Sequence, residues 1–164
     1  MSYGWRTIAT EMVELCDECG FDGRTIDHPG PAVTAAIAML DGLTAHVDAA
    51  RRPDAETYSA DEYALHSVEV TTGVLGLIAE ATGRPLTGSA TDLAGCAEVA
   101  SSVIDGLTVD DRARVLSGVY PFDATVGWLE QHLLHDLEHH VLDVRRGYAR
   151  LALADHRSGQ TIER

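Results

Sequence analysis

Apolar residues recur along much of the chain at intervals of three and four, and four stretches carry the period of an amphipathic helix. In the first, Val33, Ala36, Ile37, Leu40, Leu43 and Val47 share a face, with Pro31 where an opening helical turn tolerates proline and an end expected near Arg52-Pro53. The second begins at Ser59-Ala60-Asp61-Glu62, a capping box in which Ser59 accepts from a first-turn amide while Glu62 reaches back. It should run from Ala60 to Thr82 and stop at Gly83 and Pro85. Leu93, Cys96, Val99, Val103 and Leu107 mark a third helix over Ala90 to Leu107, and a cap at Asp123 or Thr125 starts a long final one reaching Asp155. Ahead of these, Ile8, Met12, Val13 and Leu15 predict about two helical turns over Thr7 to Leu15. The Gly- and Pro-containing stretch from Gly20 to Pro31 then reads as a loop.

Long amphipathic helices on short loops predict an all-α fold, an antiparallel four-helix bundle over residues 31–155, with an N-terminal extension over 1–30 and a tail over 156–164. The length of 164 residues agrees with one core rather than two.

Charge narrows the partners. The formal net charge is −14 and all 12 basic residues are arginine. Such a surface repels phosphate backbones and anionic lipids, so neither nucleic acid nor membrane is expected as a partner; a small molecule is. No window approaches the ~18 apolar residues of a membrane span, and the first residues lack a basic, then apolar, leader pattern, so a cytoplasmic location is expected. Three cysteines, Cys16, Cys19 and Cys96, do not make a disulfide framework. Cys16 and Cys19 form a CxxC that could be half of a zinc knuckle or a redox pair, while Cys96 falls on an apolar helix face where burial is the ordinary outcome.

Half of the eight histidines lie in one run, His132-Leu133-Leu134-His135-Asp136-Leu137-Glu138-His139-His140. Residues four apart on a helix share a face, so His132 with Asp136, His135 with His139, and Asp136 with His140 can each reach one ion. On a wheel of ~100° per residue, Val126, Leu129, Leu133, Val144 and Leu151 cluster around His140, and Asp136 sits just across the stripe. His132 and His139 fall at its border, and His135 is expected to face solvent. An ionised Asp in a core stripe is costly unless a charge or metal compensates it, which favours the Asp136 and His140 pair. On the second helix His66 shares a face with Tyr63, Val70, Val74, Leu77 and Ile78, so it too points inward. Two imidazoles and a carboxylate make a three-ligand set with open positions. The plain alternatives are a satisfied core histidine and a solvated polar face. By the same spacing His28, His46 and His156 are surface residues, and Trp128 is exposed and available to a dimer contact. The Arg145, Arg146 and Arg150 group either meets an anionic substrate or pairs with acids a turn away.

The segment Tyr58-Ser59-Ala60-Asp61-Glu62-Tyr63-Ala64-Leu65-His66, followed some seventy residues later by His135-Asp136-Leu137-Glu138-His139-His140, resembles the DinB-like superfamily of metal-binding bundles. That superfamily includes mycothiol-dependent maleylpyruvate isomerases and bacillithiol S-transferase-like proteins. The likeness spans Pro31 to Leu153, and Cys16-Asp17-Glu18-Cys19-Gly20-Phe21 is similar to an opening of actinobacterial members. It implies a divalent metal, zinc or nickel, on His66, Asp136 and His140, with His135 or His139 as substitutes because Asp136 stands where members carry His or Glu. Glu69 or Asp143 would orient an imidazole, and Gly73 would either leave room for a thiol or serve close helix packing. The implied activity is thiol S-transfer or thiol-dependent isomerisation of a small electrophile, in a homodimer, with a low-molecular-weight thiol such as mycothiol as cosubstrate. A non-catalytic metal-binding bundle, or a thiol-independent biosynthetic or hydrolytic metal enzyme, would use the same residues.

Overall fold

A computed structural model describes residues 3–8, 10–88 and 90–160 and is mostly helical, with a small amount of antiparallel strand. Its elements in chain order are β1 (Tyr3–Ile8), β2 (Glu11–Cys16), α1 (Gly30–Thr44), α2 (Ala60–Thr82), α3 (Leu93–Ile104), the single turn α4 (Val109–Arg112), the short strands β3 (Val115–Leu116) and β4 (Ala124–Thr125), and α5 (Val126–Gln160). Among the described residues no helix is long and apolar enough to cross a membrane.

Local chemistry sets the best-defined ends. The capping box of α2 forms as its sequence demands: the Glu62 amide donates to Ser59 Oγ at 3.2 Å, and the Ser59 amide donates to Glu62 at 2.9 Å. Gly83, in the left-handed conformation at φ 68°, closes the helix. Thr125 Oγ1 accepts from the Trp128 amide at 3.1 Å and starts α5.

Three boundaries differ from expectation. Helix α1 stops at Thr44, because the chain then folds into successive turns in which the Asp48 amide donates to His46 Nδ1; Val47 consequently stands 92% exposed. Helix α3 is shorter than its apolar pattern, starting only after Asp92, which accepts from the Gly95 amide at 2.8 Å. Helix α5 runs past Asp155 to Gln160, so the expected tail is largely helical; residues 161–164 lie outside the described residues.

The largest departure is at the N-terminus, where residues 7–8 and 11–15 lie in strands rather than helical turns. β1 and β2 pair antiparallel with Arg6 opposite Val13 and Thr7 opposite Met12. Alternation along β2 sends Val13 to one side and Glu14 and Cys16 to the other, and all three are buried. The chain then reverses: the Gly20 amide donates to the Cys16 carbonyl at 3.0 Å, with Gly20 at φ 80°, and the Cys16 amide donates to the Phe21 carbonyl at 3.0 Å. Gly23 passes so close to α5 that a Cβ there would lie 2.9 Å from Gln131 Oε1.

Helix α1 packs on α3 and α5, and α2 packs on α5 and α3. The core is the layer between them, with Ile37, Leu40, Leu75, Ile78, Ile104, Leu129 and Leu133 fully buried. Unlike its neighbours, α5 is covered on more than one side. The helices cover one face; the hairpin β1–β2 and the β3–β4 segment cover others. Trp128, expected at the surface, is 5% exposed, stacked on His132 and edge-on to Tyr120 and Phe122. Arg112 Nε donates to Glu130 Oε2 at 2.8 Å, giving that fully buried carboxylate a counter-charge and fastening α4 to α5.

Candidate metal centre

Helices α2 and α5 bring His66, Asp136 and His140 together. One ligand atom from each lies within 4.8 Å of the others, and His140 Nε2 is 3.8 Å from Asp136 Oδ2. These residues floor a cleft of about 410 Å³ whose walls include Tyr58, Tyr63, Glu18, Glu56 and Asp143. Carboxylates outnumber every other charged group there, which favours a cation.

The protonation pattern of His140 follows from its neighbours. Ser67 Oγ donates its only hydrogen to the Tyr63 carbonyl at 2.7 Å, so towards His140 Nδ1, 2.9 Å away, it can only accept. That arrangement places the ring proton on Nδ1 and turns the Nε2 lone pair towards Asp136 and His66. Burial holds the imidazole below its usual value, with Asp136 opposing this and His66 reinforcing it, so it is neutral and able to ligate. The donor set and its orientation therefore fit a divalent ion with two nitrogens and one oxygen.

The residues expected to orient the imidazole do something else. Glu69 is exposed and lines no part of the cleft. Asp143 accepts from Tyr63 Oη at 3.2 Å and lies 3.7 Å from Arg146; burial, with Asp143, pushes the Tyr63 hydroxyl up to about 12. Ser67, which took no part in the sequence reading, performs the orienting role; its only signal there was its place beside His66. Gly73 is exposed and a Cβ there would meet nothing within 4 Å, so close packing is not its use. Two of the three arginines pair with acids, Arg146 with Glu18 and Asp143 and Arg150 with Asp54 at 3.2 Å, while Arg145 donates to Met39 Sδ at 3.6 Å. His28, His46 and His156 are exposed, and Cys96 is fully buried.

His135 is the clearest reversal. It is fully buried rather than solvent-facing, because the N-terminal hairpin closes over that side of α5. Phe21 stacks on its ring with centroids 4.6 Å apart, and Nδ1 lies 3.2 Å from Oε1 of the fully buried Glu14. His139, one turn on, has Nε2 3.0 Å from Cys16 Sγ. Together Cys16, Cys19, His135 and His139 form a second group with ligand atoms within 4.8 Å of one another. Burial opposes ionisation of Cys16, but the Cys19 amide, the His139 and His135 rings and the Glu18 amide outweigh it and bring that thiol down to about 6. Cys19 goes the other way, to about 11, through burial and the neighbouring Cys16 against the help of the Phe21 amide.

No protein-family model, curated protein or solved structure matches this chain, so the reading of both groups rests on its own residues and their geometry.

Proposed function

We propose that this chain is a DinB-like four-helix bundle that holds one divalent ion, zinc or nickel, on His66, Asp136 and His140. On this reading it acts as a thiol S-transferase, or a thiol-dependent isomerase, on a small electrophile, with a low-molecular-weight thiol such as mycothiol as cosubstrate. One observation carries the proposal: a two-histidine, one-carboxylate set at the floor of an open cleft, with the His140 tautomer fixed by Ser67. Three protein ligands beside open space are the arrangement of catalytic rather than structural zinc sites.

A bound divalent ion there would favour the thiolate form of a ligating thiol near neutral pH. The protein's own groups do the remaining work. Ser67 keeps His140 Nδ1 protonated and Nε2 free to ligate. Asp143 accepts the hydrogen of the Tyr63 hydroxyl and so fixes that ring on the cleft wall, and burial with Asp143 keeps the hydroxyl protonated. Glu18, Glu56 and Asp143 discourage a multiply anionic acceptor, so a small neutral electrophile suits this cleft best.

The test is thiol consumption with a panel of neutral electrophiles, alongside metal content, in the parent protein and in Asp136→Ala and His140→Ala. Loss of one metal equivalent and of thiol consumption in both variants supports the reading. Turnover that proceeds without thiol would replace it with a Lewis-acid enzyme. A parent that binds no ion at these residues after reconstitution would remove the mechanism.

A further inference from the structure

The second group meets the cleft only at His139 and is not used in the chemistry proposed there. Its donors come from two distant pieces of chain: Cys16 and Cys19 from the end of β2 and the turn after it, His135 and His139 from successive turns of α5. The spacing within each piece, Cys-x-x-Cys and His-x-x-x-His, matches that of tetrahedral zinc sites with two cysteines and two histidines. Zinc bonds of about 2.3 Å to sulfur and 2.0 Å to nitrogen put tetrahedral ligand atoms about 3.3 to 3.8 Å apart. The four donors, none farther than 4.8 Å from another, need only a small contraction to meet that.

Three further features agree with an ion rather than a chance polar cluster. All three cysteines are free thiols. The Glu14 carboxylate, two residues before Cys16 on the same strand face, is fully buried and sits at Nδ1 of His135, the position of the carboxylate behind a zinc-bound histidine. An isolated two-stranded hairpin is marginal in water, so β1–β2 needs an anchor of some strength to α5.

We infer that Cys16, Cys19, His135 and His139 are the ligands of a structural zinc ion that clamps the N-terminal hairpin onto α5. Both thiols bind as thiolates, so any proton they still carry passes to solvent when the ion enters. The clamp also shapes the cleft. Glu18 lies between the two cysteines, reaches the cleft wall and pairs with Arg146, which neighbours Asp143.

The experiment is to titrate reduced, metal-free, full-length protein with cobalt(II) alone and record its absorption spectrum. The expected result is a thiolate-to-metal charge-transfer band, with the intense visible bands of a tetrahedral ion, that saturates at one equivalent of cobalt at this group and is bleached by added zinc. Asp136→Ala should keep both features, Cys19→Ser should roughly halve the charge-transfer band and the paired Cys16→Ser and Cys19→Ser change should abolish it, and His135→Ala or His139→Ala should weaken the bands' titration at least 10-fold. Because the parent itself carries the signature, a variant that fails to fold does not decide the matter. Cobalt bound to the parent without a thiolate band, or a band unchanged in both histidine variants, would overturn the assignment. Neither outcome depends on whether the cleft is catalytic.

Discussion

On α5, Asp136 and His140 follow His135 and His139 by one residue, so the two pairs share an i, i+4 spacing and differ by a rotation of roughly 100°. One pair looks across to α2 and meets a single further donor, His66, at the bottom of an open cleft. The other faces the end of β2 and the turn after it and meets two thiols, with the Phe21 ring stacked on His135. The helix supplies the same local geometry twice, and what lies opposite decides the outcome. Two thiols, one from the end of β2 and one from the turn after it, complete a four-ligand shell; one donor from a helix leaves positions for something else.

The sharpest way to break this contrast is to remove the closed group's metal. Chelation of the proposed zinc, or a paired Cys16→Ser and Cys19→Ser change, should cost about 3–5 kcal/mol and lower Tm by ~10 °C or more. Asp136→Ala, by comparison, should shift Tm by no more than ~3 °C, since it opens onto the cleft. Equal shifts in calorimetry would erase the distinction between the two groups.

Next in size is Glu14→Gln, which removes the carboxylate behind His135 and should weaken cobalt or zinc binding at the closed group about 10- to 100-fold. Competition with a chromophoric chelator reads this, and binding at His66, Asp136 and His140 should stay as it was. Ser67→Ala is the counterpart on the open side. It frees the His140 tautomer and should lower metal affinity there by up to ~10-fold, with a stability loss of about 1 kcal/mol from one hydrogen bond. A larger effect on the closed group than on the open one would reverse the assignment of Ser67.

The smallest effect concerns the start of α2, which presents His66. Arg52 first, and then the Ser59 amide, hold the Glu62 carboxyl down at about 2, against an ordinary value of 4.5. Its folded value is the lower one, so its contribution is complete above pH 4.5 and disappears as pH falls towards 2. In the metal-free protein, Glu62→Gln should therefore lower Tm slightly at pH 6 and leave it unchanged at pH 2.

How far these features were readable from the chain depended on whether their causes were local. The bounds of α2 were legible because Ser59, Glu62 and Gly83 determine them within a few residues. That Asp136 and His140 share a face was legible because helical period alone relates them, but Asp136 proves half-buried on the cleft rather than part of the core stripe. The hairpin was not, since Ile8, Met12, Val13 and Leu15 are too few to tell one period from another, and β2 buries Val13 and Glu14 on opposite faces. His135 was misplaced for the same reason at longer range. A helical wheel ranks faces against one dominant stripe, whereas α5 is also covered by Phe21 and the hairpin, more than a hundred residues earlier in the chain. Cys16/Cys19 and His135/His139 were each visible as half-sites; only the fold showed that they face each other.

The 123-residue separation of Cys16 from His139 also orders events during synthesis. At roughly 5–20 residues per second, the cysteine pair waits about 6–25 s in the nascent chain before its histidine partners exist. During that interval it is a pair of unligated thiols, open to exchange with cellular thiols and to oxidation. Closure of the hairpin onto α5 thus has to wait for the final helix, and ion capture there marks a chain whose translation has passed that helix's middle turns.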